Sequence, residues 1–293
     1  MLRESSFARI ACQAALFALV LGATGAKANA QAGGLTANQL ARKVVMNEVR
    51  AESQDHSHWA FRLETKTRHE QSEVYEVVET NEGDLKLPIL RDDKPLSANE
   101  KRQADRRFRR SVDDPESLRK ERKDNAEDSD RSQRLLKMLP DAFEFTYGEK
   151  HGDLVELHFT PNPHFHPPSH EAEVFHAMEG NLWVDQAQSR LAELSGRLIH
   201  EVKFGWGVLG HLDKGGEFRV KQAEVAPGYW EMVLLYVNMR GKALFFKTIG
   251  VQENKLRRDF HQVPDNLTLA QAADILRQQA ARISGGAGGK SGD

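Results

Sequence analysis

The stretch MEGNLWVDQAQSRLAELSGRLIHEVKFG, residues 178–205, decides the fold. Met178, Gly180, Leu182 and Val184 recur at every second position, the period of a strand with one face turned to a core. Asp185 to Ser189 reads as a turn, and Leu198, His200, Val202 and Phe204 then take up the same period on another strand. The pattern repeats outward in both directions. Phe143, Phe145 and Tyr147 alternate before it, as do Val155, Leu157 and Phe159. Phe218 and Val220 follow it, then Met232, Leu234 and Tyr236, then Leu244 and Phe246. Turn signals at Gly148 to Gly152, Gly215-Gly216, Pro227-Gly228 and Arg240-Gly241 separate these runs. A parallel crossover needs a dozen or more residues, usually a helix, and no helix-length pattern intervenes between about 171 and 260. The spacing therefore predicts a continuous antiparallel meander of about seven strands.

Upstream, Thr36-Ala37-Asn38-Gln39 forms a T-x-x-Q capping box, and Leu40, Ala41, Val44, Val45 and Val49 follow at helical spacing. This predicts a helix over 37–53. Trp59, Phe61 and Leu63 then alternate as a half-buried strand, Tyr75, Val77 and Val78 lie in a second, and Asn81-Glu82-Gly83 turns the chain. Two or three strands are expected before the composition changes. Of the 44 residues from 91 to 134, 26 are charged, 14 basic and 12 acidic. Ser97 with Glu100 is a second capping box, and Asp114-Pro115 suits an N-cap followed by the first helical position. Apolar positions are sparse: Leu96, Phe108, Val112 and Leu118. The reading is an inserted, solvent-washed helical pair over about 91–139, closed by the apolar Leu135, Leu136, Met138 and Leu139 and stopped at Pro140. Within it Arg106-Arg107-Phe108-Arg109-Arg110 is a local cationic exception, suited to a membrane surface or an acidic partner. Thr268 to Gln271 opens a last short helix carrying Leu269, Ala272, Ile275 and Leu276, and residues 284–293 are expected to be a disordered Gly-rich tail.

Residues 1–32 read as a secretory signal. Arg3 and Arg9 give a positive n-region, Ile10 to Leu21 an apolar h-region, and Ala28-Asn29-Ala30 or Ala30-Gln31-Ala32 a cleavage site. A periplasmic or secreted location follows. Cys12 is the single cysteine and lies within that segment. The processed chain would then have no disulfide, thiolate nucleophile, cysteine zinc site or covalent haem. A formal net charge of −2 offers no global field for nucleic acid, so no nucleic-acid partner is expected. No later stretch is long and apolar enough for a transmembrane segment.

Gly205-Trp206-Gly207-Val208-Leu209-Gly210 matches G-x-G-x-x-G, but a dinucleotide site needs it between a strand and a helix, and here another turn and strand follow. A bend in an antiparallel sheet fits better. His170-Glu171 followed by His176 lacks the spacing of H-E-x-x-H. The loop PNPHFHPPSHE, residues 161–171, is the one metal candidate. His164 and His166 point to one side of an extended chain, and His170 and Glu171 could complete the ligands. Pro161, Pro163, Pro167 and Pro168 hold the loop in polyproline geometry, which opposes wrapping one ion. Neither a nucleophile elbow nor a phosphate-binding loop is present. No catalytic residue and no cofactor is assigned.

The order of parts resembles the LolA-like architecture of periplasmic outer-membrane lipoprotein-sorting proteins: signal, helix, paired strands, inserted helices, long meander. The residues that carry the likeness are 178–205 and YWEMVLLYVNMRGKALFFKTIG, 229–250, with Gly180-x-Leu182-x-Val184-Asp185, Arg190-Leu191, Trp230-Glu231 and Phe245-Phe246-Lys247. The PNP loop and the segment GVLGHLDKGG, 207–216, are similar to an exported bacterial branch. The resemblance implies an α+β fold in which a strongly curved antiparallel sheet forms an incomplete barrel with covering helices, as a single domain over 36–283. It also implies a non-enzymatic carrier of lipid or lipoprotein acyl chains. Its ligand-binding apolar face would be Leu182, Val184, Val202, Phe204, Met232, Leu234, Leu244 and Phe246. The charged insert departs from that pattern. Two alternatives stand beside the carrier: a metal-binding protein or metal-dependent enzyme using His164, His166, His170 and Glu171, and a cell-envelope interaction module using the charged helices. The same alternation of Leu182, Val184 and their neighbours also fits a plain closed core.

Overall fold

The structure, a computed structural model, describes residues 34–66, 71–204, 210–243 and 247–286. The expected signal, residues 1–32, lies outside them. The chain runs α1 (Ala37–Gln54), β1 (His58–Lys66), β2 (Ser72–Val78), β3 (Leu85–Arg91), β4 (Lys94–Pro95), α2 (Ala98–Asp113) and α3 (Glu116–Ala142). It continues as β5 (Phe143–His151), β6 (Leu154–Pro161), a 3-10 run (His170–Ala177), β7 (Met178–Asp185), β8 (Arg190–Leu198), β9 (Val202–Phe204) and β10 (Gly210–Leu212). The last elements are β11 (Glu217–Ala226), β12 (Tyr229–Ala243), β13 (Lys247–Val263) and α4 (Leu269–Gly286). The class is α+β, and the 13-stranded antiparallel sheet is not closed into a barrel. The described residues group into two compact units, one within 34–54 and 128–252 and the other within 55–127 and 253–286.

In the first unit the strand order is β12-β11-β8-β7-β6-β5, every pair antiparallel, with β9 and β10 as an added hairpin whose second strand also pairs β12. Consecutive strands lie side by side, as the meander predicts, except that β11 follows β8 in the sheet and β9 and β10 stand off that path. The register sets a row across six strands: Phe145, Phe159, Gly180, Gly196, Phe218, Val237. Two glycines occupy its centre because two rings lie over them. A Cβ on Gly180 would stand 2.7 Å from the Phe159 ring and 2.0 Å from the Ser195 carbonyl oxygen, and one on Gly196 would stand 2.7 Å from Phe218. This face carries the core. Leu157, Leu182, Val184, Leu198 and Met239 are at most 1 % exposed and cluster with Ala41, Val44 and Val45 of α1 and with Leu139 and Ala142 of α3. The neighbouring row is polar throughout: Thr146, His158, Asn181, Ser195, Arg219, Tyr236. One dry face and one wet face are what the period of two predicts.

In the second unit the order is β4-β3-β2-β1-β13. Ala60, Val78, Leu85 and Leu87 pack against Ala272, Ala273 and Leu276 of α4 and against Phe108 and Leu118 of the charged helices. The opposite parity of β1 is also buried. Trp59 and Phe61 are each 2 % exposed, and Phe61 stacks on Phe260 at 5.2 Å. The strand expected to be half-buried is therefore buried on both sides.

Several expectations need correction. The return strand after the 185–189 turn is β8, Arg190–Leu198, and not a run from Leu198 to Phe204. Residues 199–201 break the chain, and Val202–Phe204 is a separate short strand. Leu191, Ala192 and Leu194 sit beside charged neighbours, which hid the period of β8. Among the described residues nine strands follow α3, not about seven, because β9, β10 and the long β13 add to the count. Four precede the charged helices, although β4 has only two residues. α3 runs through Pro140 to Ala142. α4 reaches Gly286, inside the stretch expected to be disordered, and residues 287–293 lie outside the description.

Candidate functional site

The apolar face proposed for a ligand lies in the first unit. Leu182, Val184 and Val202 are in its core, 1 %, 0 % and 4 % exposed. Phe204 is half-buried against the same cluster. Met232 and Leu234 are also half-buried. The register separates Leu234 from the rest, since it pairs with Lys221, whose ammonium meets the Glu193 carboxylate at 2.8 Å on the polar face. A bulge between the pairs Lys221–Leu234 and Gln222–Met232 interrupts the simple alternation. Leu244 and Phe246 lie outside the described residues.

What covers this face is α1, and polar contacts hold it there. The Thr36–Gln39 capping box forms as expected: the Gln39 N–H donates to Thr36 Oγ1, and the Thr36 N–H to Gln39 Oε1. Asn38 Nδ2 donates to the Phe143 carbonyl, and the Phe145 N–H donates to Asn38 Oδ1, both at 3.1 Å. Ten residues on, Glu48 continues the buried stripe of Leu40, Ala41, Val44 and Val45. Its carboxylate accepts from Arg190 Nε at 2.7 Å, Arg190 Nη2 at 3.2 Å and the Leu191 N–H at 2.8 Å. The Arg190 guanidinium lies over Trp230, 5.4 Å from the ring centroid. Trp230 Nε1 donates to Gln188 Oε1, and Gln188 Nε2 donates to Glu224. This clasp was not foreseen, yet it left a signal: a lone carboxylate on the apolar stripe of a helix. A surface depression of about 410 Å³, lined by Lys43, Met46, Asn47, Arg50, Gln188 and Ser189, lies on the exposed side of the same helix and is polar.

The histidine loop does not gather its proposed ligands. His164 and His166 are exposed, and His166 Nδ1 lies 2.9 Å from the His164 carbonyl. Glu171 is exposed beside the Ser169 hydroxyl, and His170 opens the 3-10 run. His176 is held below the ordinary imidazole value, first by desolvation and then by the nearby His166. Among the described residues no three His, Cys, Asp or Glu side chains come together as a metal site.

No family model, curated protein or solved structure matches the chain.

The charged helices remain. The Ser97–Glu100 box caps α2 in both directions, and Arg91 ties it to β3 by bonding Glu100 at 2.7 Å and Glu73 at 2.6 Å. Tyr75 donates to the other oxygen of Glu73, and burial first, then that bond, pushes its phenol up. The Glu100 carboxyl is held below its usual range by the Ser97 hydroxyl and backbone N–H, and further by Arg91. Phe108 and Leu118 are the buried anchors, 5 % and 6 % exposed. In the first turns of α3, Arg119 meets Glu82, and Glu121 meets Lys86 of β3 at 2.7 Å.

Proposed function

We propose that the protein is a non-enzymatic binding protein of the cell envelope that works through the surface of its charged helices α2 and α3. One observation carries this reading. In the second unit α2 and the start of α3 dock through Phe108 and Leu118, within a segment that carries 26 charges. A helix that is polar nearly all round contributes little core and leaves its surface for a partner. The envelope location rests on the signal-like composition of residues 1–32.

An acyl-chain carrier is the second reading. It is favoured by the arrangement of α1, with Leu135, Leu136, Met138 and Leu139, over the apolar face of the first unit. To admit a chain that cover would have to give way, and the Asn38 and Glu48 contacts oppose this. Native mass spectrometry of the protein isolated from its own envelope tests the choice. The surface reading predicts the mass of the bare chain. A stoichiometric acyl-bearing adduct would move the function to the apolar face, and stoichiometric zinc to the histidine loop.

A further inference from the structure

Helix α2 differs from α3 in charge balance: α3 carries as many carboxylates as cations, and α2 does not. It carries six cations, Lys101, Arg102, Arg106, Arg107, Arg109 and Arg110, against three carboxylates, Glu100, Asp105 and Asp113. All six are exposed. Phe108 fixes which side faces inward, and at 100° per residue Arg102, Arg106 and Arg110 then form one outward row at i, i+4 and i+8, with Arg109 beside it. Among the described residues none of these four arginines is in an ion pair, and Arg102 donates to the Asn99 side chain. Like charges four apart weaken a helix, so the row works against local stability. Glu100, Asp105 and Asp113 reduce the excess on the helix to three positive charges.

We propose that this row lies flat on an anionic phospholipid bilayer and sets the guanidinium groups against lipid phosphates. The proposal rests on the surface-binding reading above and names its partner. Guanidinium forks match phosphate oxygens in pairs. From Arg102 to Arg110 the row runs about 12 Å along the helix. The outward positions hold no apolar or aromatic side chain, since Phe108 and Val112 face inward. Protein interfaces centre on buried aromatic side chains together with arginine, and this row supplies the arginines without the aromatics. A headgroup layer needs only cations, each contributing near the surface and screened by salt.

The test is co-sedimentation of the full chain with vesicles of phosphatidylcholine alone or with about one-third phosphatidylglycerol, at about 0.05 M and about 0.5 M salt. Arg106→Gln with Arg110→Gln is compared with Lys120→Gln and Lys123→Gln, an equal charge change on α3. We expect binding to anionic vesicles only, lost at high salt. The arginine pair should lower it about 25-fold, roughly fivefold per arginine, and the lysine pair far less. Binding to neutral vesicles, equal losses in the two variants, or no binding at low salt would overturn the proposal. A photoreactive residue at Arg109 separates the two levels. Protein adducts there without vesicle binding sink the membrane and leave the surface reading standing. Neither adducts nor vesicle binding sinks both.

Discussion

Replacing Glu48 with alanine should destabilise the protein more than any surface substitution. The carboxylate is 6 % exposed and the Arg190 side chain 13 %. Three donors converge on it: two guanidinium N–H groups and the Leu191 amide. Alanine leaves a buried cation whose remaining neighbour is the Trp230 ring, and a buried N–H without an acceptor. Removing one partner of a buried pair costs about 3–5 kcal/mol, because the other charge stays desolvated. For a chain of this size that corresponds to a fall of about 6–20 °C in Tm. Thermal and urea unfolding, followed by circular dichroism, read this directly. A second variant separates the charge from the packing. Glu48→Leu with Arg190→Met removes both charges and should be far less destabilised than the sum of the single changes. A loss below about 1 kcal/mol for Glu48→Ala, the range of exposed pairs, would refute the clasp.

Gly180→Ala should prevent normal folding, since its Cβ would meet the Ser195 carbonyl oxygen at 2.0 Å and Gly196 Cα at 2.7 Å; soluble yield and urea midpoint check it. Leu182→Ala should cost about 2–5 kcal/mol as a closed-core truncation, read from urea unfolding, and a loss near zero would indicate a face with open space. Ser97→Ala should cost about 1 kcal/mol as a lost N-cap. The Ser97 hydrogen bonds hold the Glu100 carboxyl below its ordinary value, so its contribution is present above that ordinary value and is lost as pH falls through the lowered one. Stability measured from pH 7 to 3 should therefore fall less steeply in Ser97→Ala than in the natural chain.

Much of the fold was legible because alternation reports burial on one face. Strands β5, β6, β7 and β12, helix α1 and three capping boxes could be read from residue type and spacing. β13 could not, since KTIGVQENKLRRDFHQV alternates poorly, with arginines and asparagine holding positions that backbone pairing to β1 requires. β8 was misplaced because Glu193, Ser195 and Arg197 face water and Gly196 leaves its inward position without a side chain. The candidate face was read only in part. Leu182, Val184 and Val202 were correctly set on an apolar parity, but a bulge in β12 decides Met232 and Leu234, and a bulge leaves no mark in composition. Glu48 was the most informative residue passed over, because its acceptor role depends on Arg190, 142 positions away.

The central claim is that the protein works through the surface of α2 and α3 and not through its interior. Site-specific photo-crosslinking in the native cell tests it most directly, with the photoreactive residue at Arg109 or, for comparison, at Thr146 on the polar sheet face. The account predicts discrete adducts, to lipid or to protein, from position 109 and none from position 146. Adducts from 146 with none from 109 would contradict it.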